Sequence, residues 1–160
     1  MTVAWRNLSW GSVKRPERQK TSGVSLVEIL VNIDVPDLAP AIEFYSSALG
    51  LRLKRRLDAD VAELTGASAT IYLLLHREGS HPRRHLPATR HYSAHWTPVH
   101  LDFVVDDIEK AAAHAEQAGA IRESDCVKWR GSRCMTFSDP FGHGFCLIEF
   151  ADQTYGDSET

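Results

Sequence analysis

Polar residues interrupt an apolar run from Val24 to Val35, in Ser25-Leu26-Val27-Glu28-Ile29-Leu30-Val31-Asn32-Ile33-Asp34-Val35, and Pro36-Asp37 then ends it. That mixed alternation predicts a β-strand. From Leu38 to Leu49 the period changes: Leu38, Ile42, Tyr45 and Leu49 recur at helical spacing, and Gly50 stands where a C-terminal stop belongs. Leu51 to Leu57, Val61 to Thr65 and Ala69 to His76 read as three further strands, separated by Asp58-Ala59-Asp60 and Gly66. The order β-α-β-β-β then recurs. Val99 to Val105 is a strand, Asp107 opens a helix that runs to Ala118 and stops at Gly119, and Ile121 to Val127, Arg133 to Phe137 and Phe145 to Phe150 are strands. Between the last two, Asp139-Pro140-Phe141-Gly142 makes a turn, because Pro140 presets φ and Gly142 permits a positive one.

Laying Asp37-Leu38 on Asp107-Ile108 aligns the two helices and sets Leu30 opposite His100; a second register sets Asn32 there instead. The chain reads as a tandem duplication of class α+β. Five segments follow: a flexible N-terminal tail at 1–23, a first module at 24–77, an inter-module loop at 78–96, a second module at 97–152 and a C-terminal tail at 153–160. The first tail is charged and aperiodic around Val13 to Lys20, although Trp5 and Trp10 suit a segment that packs in part on the body. The inter-module loop holds His81, His85, His91 and His95 in two i, i+4 pairs, a zinc-binding spacing on a helix. Pro82 and Pro87 argue against that helix, so the segment reads as a solvated crossover.

Composition changes this picture little. A chain of 160 residues, 43% hydrophobic and 24% charged with a net charge of −3, suits a globular protein that draws neither nucleic acid nor anionic membrane by charge. No apolar run is long enough to span a bilayer, and the N-terminus lacks the apolar stretch of a signal peptide. Cys126, Cys134 and Cys146 are odd in number and contain no C-x-x-C, which disfavours a disulfide framework and suits a reducing cytoplasm.

The residues Val35-Pro36-Asp37-Leu38, Phe44-Tyr45 and Leu49-Gly50-Leu51, with His100-Leu101-Asp102, Val105-Asp106-Asp107-Ile108, Gly119-Ala120, Trp129, Asp139-Pro140-Phe141-Gly142-His143 and Phe145-Cys146-Leu147, resemble the vicinal oxygen chelate superfamily. That is the fold of glyoxalase I, extradiol dioxygenases and the bleomycin-resistance proteins, and the chain looks most like the glyoxalase-like subgroup. The resemblance implies two half-cups making an eight-stranded curved sheet around a shared cavity. Metal-dependent members place a His on the first strand of a module and a Glu on its last. His100 matches the first; Cys146 stands where the second has Glu. In the first module the positions fall on Leu30 or Asn32 and near Leu73 to His76, where only His76 is a metal-binding type. No cofactor is therefore expected, and a divalent metal enters only if His100 is joined by His76, Glu28 or Asp102.

His100 is the candidate catalytic residue, a base with Asp102 two positions along the same strand face, about 7 Å away by strand rise. Glu28, Asn32, His76, Asp102, Trp129 and Cys146 are the candidate cavity residues, with Cys146 more a small core group than a nucleophile. Arg52, Lys54, Arg55 and Arg56 read as surface charges, one of which suits an anionic substrate group if it faces the cup. The expected function is a glyoxalase-like small-molecule-binding protein, as a metal-independent enzyme on a small oxygenated organic substrate. A drug- or metabolite-sequestering protein of the bleomycin-resistance type is the alternative, and a metal-dependent lyase or dioxygenase the second. A homodimer formed through exposed strand edges is consistent with such modules.

Overall fold

The computed structural model describes residues 27–83, 87–152 and 154. The N-terminal tail with Trp5 and Trp10, the residue His85 and nearly all of the C-terminal tail lie outside those residues.

Two modules repeat the predicted order. The first holds β1 (Leu30–Val35), α1 (Leu38–Leu49), β2 (Arg52–Asp58), β3 (Val61–Thr65) and β4 (Thr70–Leu75). β1 starts at Leu30 rather than Val24 because its parallel partner β4 starts at Thr70, directly across from it. The second module holds β5 (Leu101–Val104), α2 (Ile108–Gln117), β6 (Ile121–Arg122), β7 (Val127–Trp129), β8 (Ser132–Ser138) and β9 (Gly144–Phe150). Asp37 and Asp107 cap the two helices through their carboxylates, accepting from the Ala39 and Lys110 amides, both at 3.0 Å. Gly50 ends α1 in the left-handed conformation at φ 66°, as its position suggested.

The single strand expected over Ile121 to Val127 is two. Arg122 pairs with Phe137 and Val127 with Cys134, so five steps along one chain face three along β8. The two surplus residues loop out, and the Ser124 hydroxyl accepts from the Thr136 amide left without its strand partner.

The strand orders are β1-β4-β3-β2 and β5-β9-β8-β6, with β7 also on β8. In each module the first and last strands run parallel, the geometry a crossover helix permits. The strands form two sheets of four and five, and no strand of one pairs with the other among the described residues. Instead of lying outside each half, the helices join them. α1 packs on α2, and the Phe44 ring stands edge-on to Phe141 at 6.2 Å and Phe145 at 6.5 Å.

One polar contact spans this apolar seam. The buried Tyr45 hydroxyl on α1 donates to Asp139 Oδ2 at 2.7 Å, in the turn that feeds β9. Asp139 also accepts from the amides of Phe141 and His143, both at 2.8 Å, and meets His143 Nδ1 at 2.9 Å. Burial, then the Asp139 charge, then the hydrogen bond to it push the Tyr45 phenol well above its ordinary pKa of 10.0.

Tyr45→Phe is expected to lower the unfolding free energy by about 1.5–3 kcal/mol at neutral pH, the value of a hydrogen bond to a charged group. Because the folded-state pKa is raised, this contribution is complete below about pH 10 and declines as pH climbs past the unfolded value. Urea denaturation of both proteins at pH 7 and pH 10.5 checks it: the gap between them narrows at the higher pH. Equal stabilities at pH 7 would show that the bond adds nothing.

Candidate functional site

The site follows from strand alternation in the second module. Leu101 and Phe103 turn toward the core, so Asp102 and Val104 face the other way. Asp102 lies across from Cys146 on β9, and Cys146 across from Thr136 on β8. Two residues from Thr136 on the same face is Cys134. His100, immediately before β5, reaches along the strand and sets its Nε2 3.2 Å from Asp102 Oδ1. Strand rise separates the two backbones by about 7 Å, but the side chains lean together and close that distance.

The two ends of the cluster differ in solvation. The side chains of His100 and Asp102 are 41% and 40% exposed, while Cys146 is buried. Burial pushes the Cys146 thiol up to about 12, against a weaker opposing effect of the Thr136 hydroxyl, whose oxygen lies 3.8 Å from the sulfur. Cys146 is thus a protonated thiol at neutral pH, which removes the nucleophile reading. The Cys134 thiol beside it is pushed up as well, mainly by burial.

Trp96 completes the surroundings, and the sequence did not single it out. Its ring stands edge-on to His100 at 5.2 Å. It lies flat over Gly144, where a Cβ would come within 2.9 Å of the indole. Trp129 is on the same sheet at its far margin, with Arg130 over its ring at 5.1 Å.

The first module keeps its polar residues to itself. His76 Nε2 is 3.6 Å from Asp34 Oδ1, and Arg90 Nε is 2.6 Å from Asp34 Oδ2. Glu63, buried on β3, takes Lys54 Nζ at 2.7 Å and Arg55 Nε at 2.6 Å. Burial alone would raise the Glu63 pKa, but those two cations outweigh it and hold it below the usual value. Lys54 and Arg55 are therefore already engaged. Asn32 lies across from Tyr72 just as Asp102 lies across from Cys146, so Tyr72, and not His76, is the first-module counterpart of Cys146. Glu28 is exposed and precedes β1.

Among the described residues, one group of three potential metal donors has its ligand atoms within 4.8 Å of one another: His100, Asp102 and Cys146. It includes neither His76 nor Glu28. The two-module His and Glu pattern that the resemblance implies for metal-dependent members does not fit this chain, because Cys146, Tyr72 and Leu30 occupy three of its positions.

Two cavities of about 390 Å³ lie elsewhere, one between the helices against Phe44, His114 and Phe141 and one beside Trp129 and Arg133. Neither is lined by His100, Asp102 or Cys146. The cluster itself lies on a sheet face whose margins, at Val104 and Trp129, are open.

Fold and site together define a two-module α+β protein with a polar cluster on the outer face of one sheet. The model of the glyoxalase-like domain matches residues 30–148, and the chain belongs to that family, within the vicinal oxygen chelate superfamily. A glyoxalase/bleomycin resistance protein/dioxygenase from Nocardioides shares the fold at a TM-score of 0.59 and 17% identity, over 87% of this chain and 93% of that one. Lactoylglutathione lyase from Agrobacterium tumefaciens does so at 0.54 and 21%, over 82% and 96%. Glyoxalase/bleomycin resistance protein/dioxygenase family enzyme from Burkholderia phytofirmans does so at 0.57 and 18%, over 75% and 95%. No curated protein sequence matches. No helix among the described residues is long and apolar enough to cross a membrane.

Burial of Cys146 predicts that iodoacetamide at neutral pH leaves it unmodified in the folded protein and labels it fully in urea. Peptide mass spectrometry reads the outcome at each cysteine. Rapid native labelling of Cys146 would restore it as a reactive thiol.

Proposed function

We propose that this is a glyoxalase-like protein that binds a small oxygenated organic molecule on the outer face of its second module. The observation that supports this reading is the His100–Asp102 contact, a partly exposed dyad set against an otherwise thiol- and hydroxyl-lined patch. With Nε2 engaged by Asp102, Nδ1 is the nitrogen left to accept a proton or hydrogen bond from the ligand. Asp102 holds the ring in place and stabilises it once protonated, and Trp96 shields one side. That arrangement suits proton transfer at a carbon or oxygen of the substrate without a metal. The same patch without turnover would be a sequestering site.

A second copy of the chain is the proposed partner. Val99, Val104, Val127 and Trp129 on the second module and Leu30 and Leu53 on the first are large apolar residues between 43% and 79% exposed. A second copy would cover much of this surface and close the patch from above. Light scattering of the purified protein is expected to give twice the chain mass, and Val104→Glu to shift it toward the monomer. A monomeric wild type at micromolar concentration would overturn the pairing.

The ligand reading is tested by thermal shift with 2-hydroxy acids, 2-oxo acids and catechols on protein dialysed against chelator. A ligand at 100 times its Kd stabilises by about 2.7 kcal/mol. His100→Ala should abolish that shift while leaving the melting temperature of the free protein within about 2 °C, since an exposed side chain adds little to stability. Product formation in wild type and not in His100→Ala identifies an enzyme; a stoichiometric shift without product identifies a binder. A shift that survives His100→Ala removes the site from this face.

A further inference from the structure

The far margin of the second sheet carries two local costs that the fold does not require. β7 and β8 are joined by the two-residue turn Arg130-Gly131, whose φ angles are both positive, at 46° and 72°. A hairpin turn of that kind favours Asn-Gly or Asp-Gly. Arg130 is the one residue other than glycine with a positive φ among the described residues, and an arginine there is strained. Nearby, Lys128 stands directly across from Arg133, which sets like charges side by side. Ordinary hairpin residues would remove both costs, so their coincidence points to a ligand.

These cations meet in the cavity of about 390 Å³ beside Trp129, which Lys128, Arg130 and Arg133 line together with Ser132 and Glu149. Arg133 is fixed between Glu109 and Glu149, so its charge is already balanced. Lys128 and Arg130 have no carboxylate partner among the described residues, whereas Lys54 and Arg55 share Glu63 and Arg90 has Asp34. The Arg130 guanidinium lies over the Trp129 ring at 5.1 Å, which holds it in place. The turn beneath it is braced. The Ser132 hydroxyl donates to the Trp129 carbonyl at 2.6 Å, and the Ala151 amide to the Gly131 carbonyl at 2.8 Å.

We propose that this cavity binds the phosphate monoester of a small organic molecule, with the phosphate on Lys128 and Arg130 and the carbon body against Trp129. Two uncompensated cations match a group that carries about two negative charges near neutral pH, which a carboxylate or a phosphodiester does not. The planar guanidinium adds a fork that fits phosphate oxygens. A cavity of this volume suits a small molecule. His100, Asp102 and Cys146 do not line it, so the site stands apart from the ligand reading above.

The test is a titration of the full, nitrogen-labelled chain with phenyl phosphate at pH 7.5, read by NMR at the amide and indole N–H groups. Trp129→Phe identifies the Trp129 indole signal. The Trp129, Arg130 and Gly131 signals should shift together and saturate. Inorganic phosphate, which lacks the carbon body, and the monoanions benzoate and dimethyl phosphate should each bind about tenfold more weakly. Lys128→Ala and Arg130→Asn should each weaken phenyl phosphate about tenfold, the loss of one charge-assisted contact. Arg130→Asn should do so without lowering the melting temperature, because asparagine suits the turn. Should that variant fold poorly, Lys128→Ala, which only relieves repulsion, decides the matter. Trp129 also belongs to the surface given above to a second copy, so Val104→Glu, which separates the pair, should leave the shifts in place. The site is overturned by any of four results: no saturable shift at the hairpin, equal binding of benzoate, shifts that survive both Lys128→Ala and Arg130→Asn at full strength, or shifts lost in Val104→Glu. The readout is local to the hairpin, so a failed screen at His100 is a separate result.

Discussion

The Asp139 carboxylate is the contact on which the rest of the molecule turns. A buried charge survives only when donors fill its lone pairs, and Asp139 takes four from three residues: Tyr45, Phe141 and two from His143. One donor belongs to the first module and the others to the turn of the second, so a single group fixes both the angle of that turn and the seat of α1 on it. The consequences run on to the site. Gly142 at φ 86° brings the turn against the backbone oxygens of Tyr92 and Ser93, which a Cβ would meet at 2.7 and 2.6 Å. His95 then bonds to the Gly142 carbonyl, and Trp96, the next residue, falls over Gly144 and beside His100. The crossover that looked solvated is thus tied to the second module at its end.

Because the modules meet through their helices, the helices pack on one face of each sheet and leave the opposite face outside the seam. The helix side holds the aromatic cluster around Phe44 with the Tyr45–Asp139 contact, and the other side holds His100, Asp102 and Cys146. Chemistry and cohesion are therefore separated by strand alternation alone, which is why substitutions at His100 or Asp102 and substitutions at Tyr45 or Asp139 are expected to act on different properties.

Much of the fold was legible because it depends on local rules. The Asp caps, Gly50 and the Asp-Pro-Phe-Gly turn each satisfy backbone groups within a few residues, and the duplication repeats them. The site was legible only in part. His100, Asp102 and Cys146 were chosen for their types and strand positions, and they converge. Cys134 and Trp96 escaped, the first because its face depends on the register across β8 and β9, the second because only long-range packing carries the crossover over Gly144. The first-module counterpart of Cys146, expected near Leu73 to His76, falls one residue earlier, since the register is set by β4 against β1 and places Tyr72 across from Asn32. The split of β6 from β7 was equally hidden: two surplus residues leave no mark on the alternation.

A thiol rather than a carboxylate at position 146 has its own physical logic. The first module shows what a buried carboxylate in such a sheet requires: Glu63 is tolerated because Lys54 and Arg55 both reach it. Around Cys146 the neighbours are Thr136, Cys134, Asp102 and His100, which offer a carboxylate and an imidazole but no lysine or arginine. A glutamate there would have only the His100 ring to offset its desolvation and the repulsion of Asp102. A protonated thiol needs no such offset. The thiol therefore lets position 146 be buried beside Asp102 without the lysine and arginine that Glu63 requires in the first module.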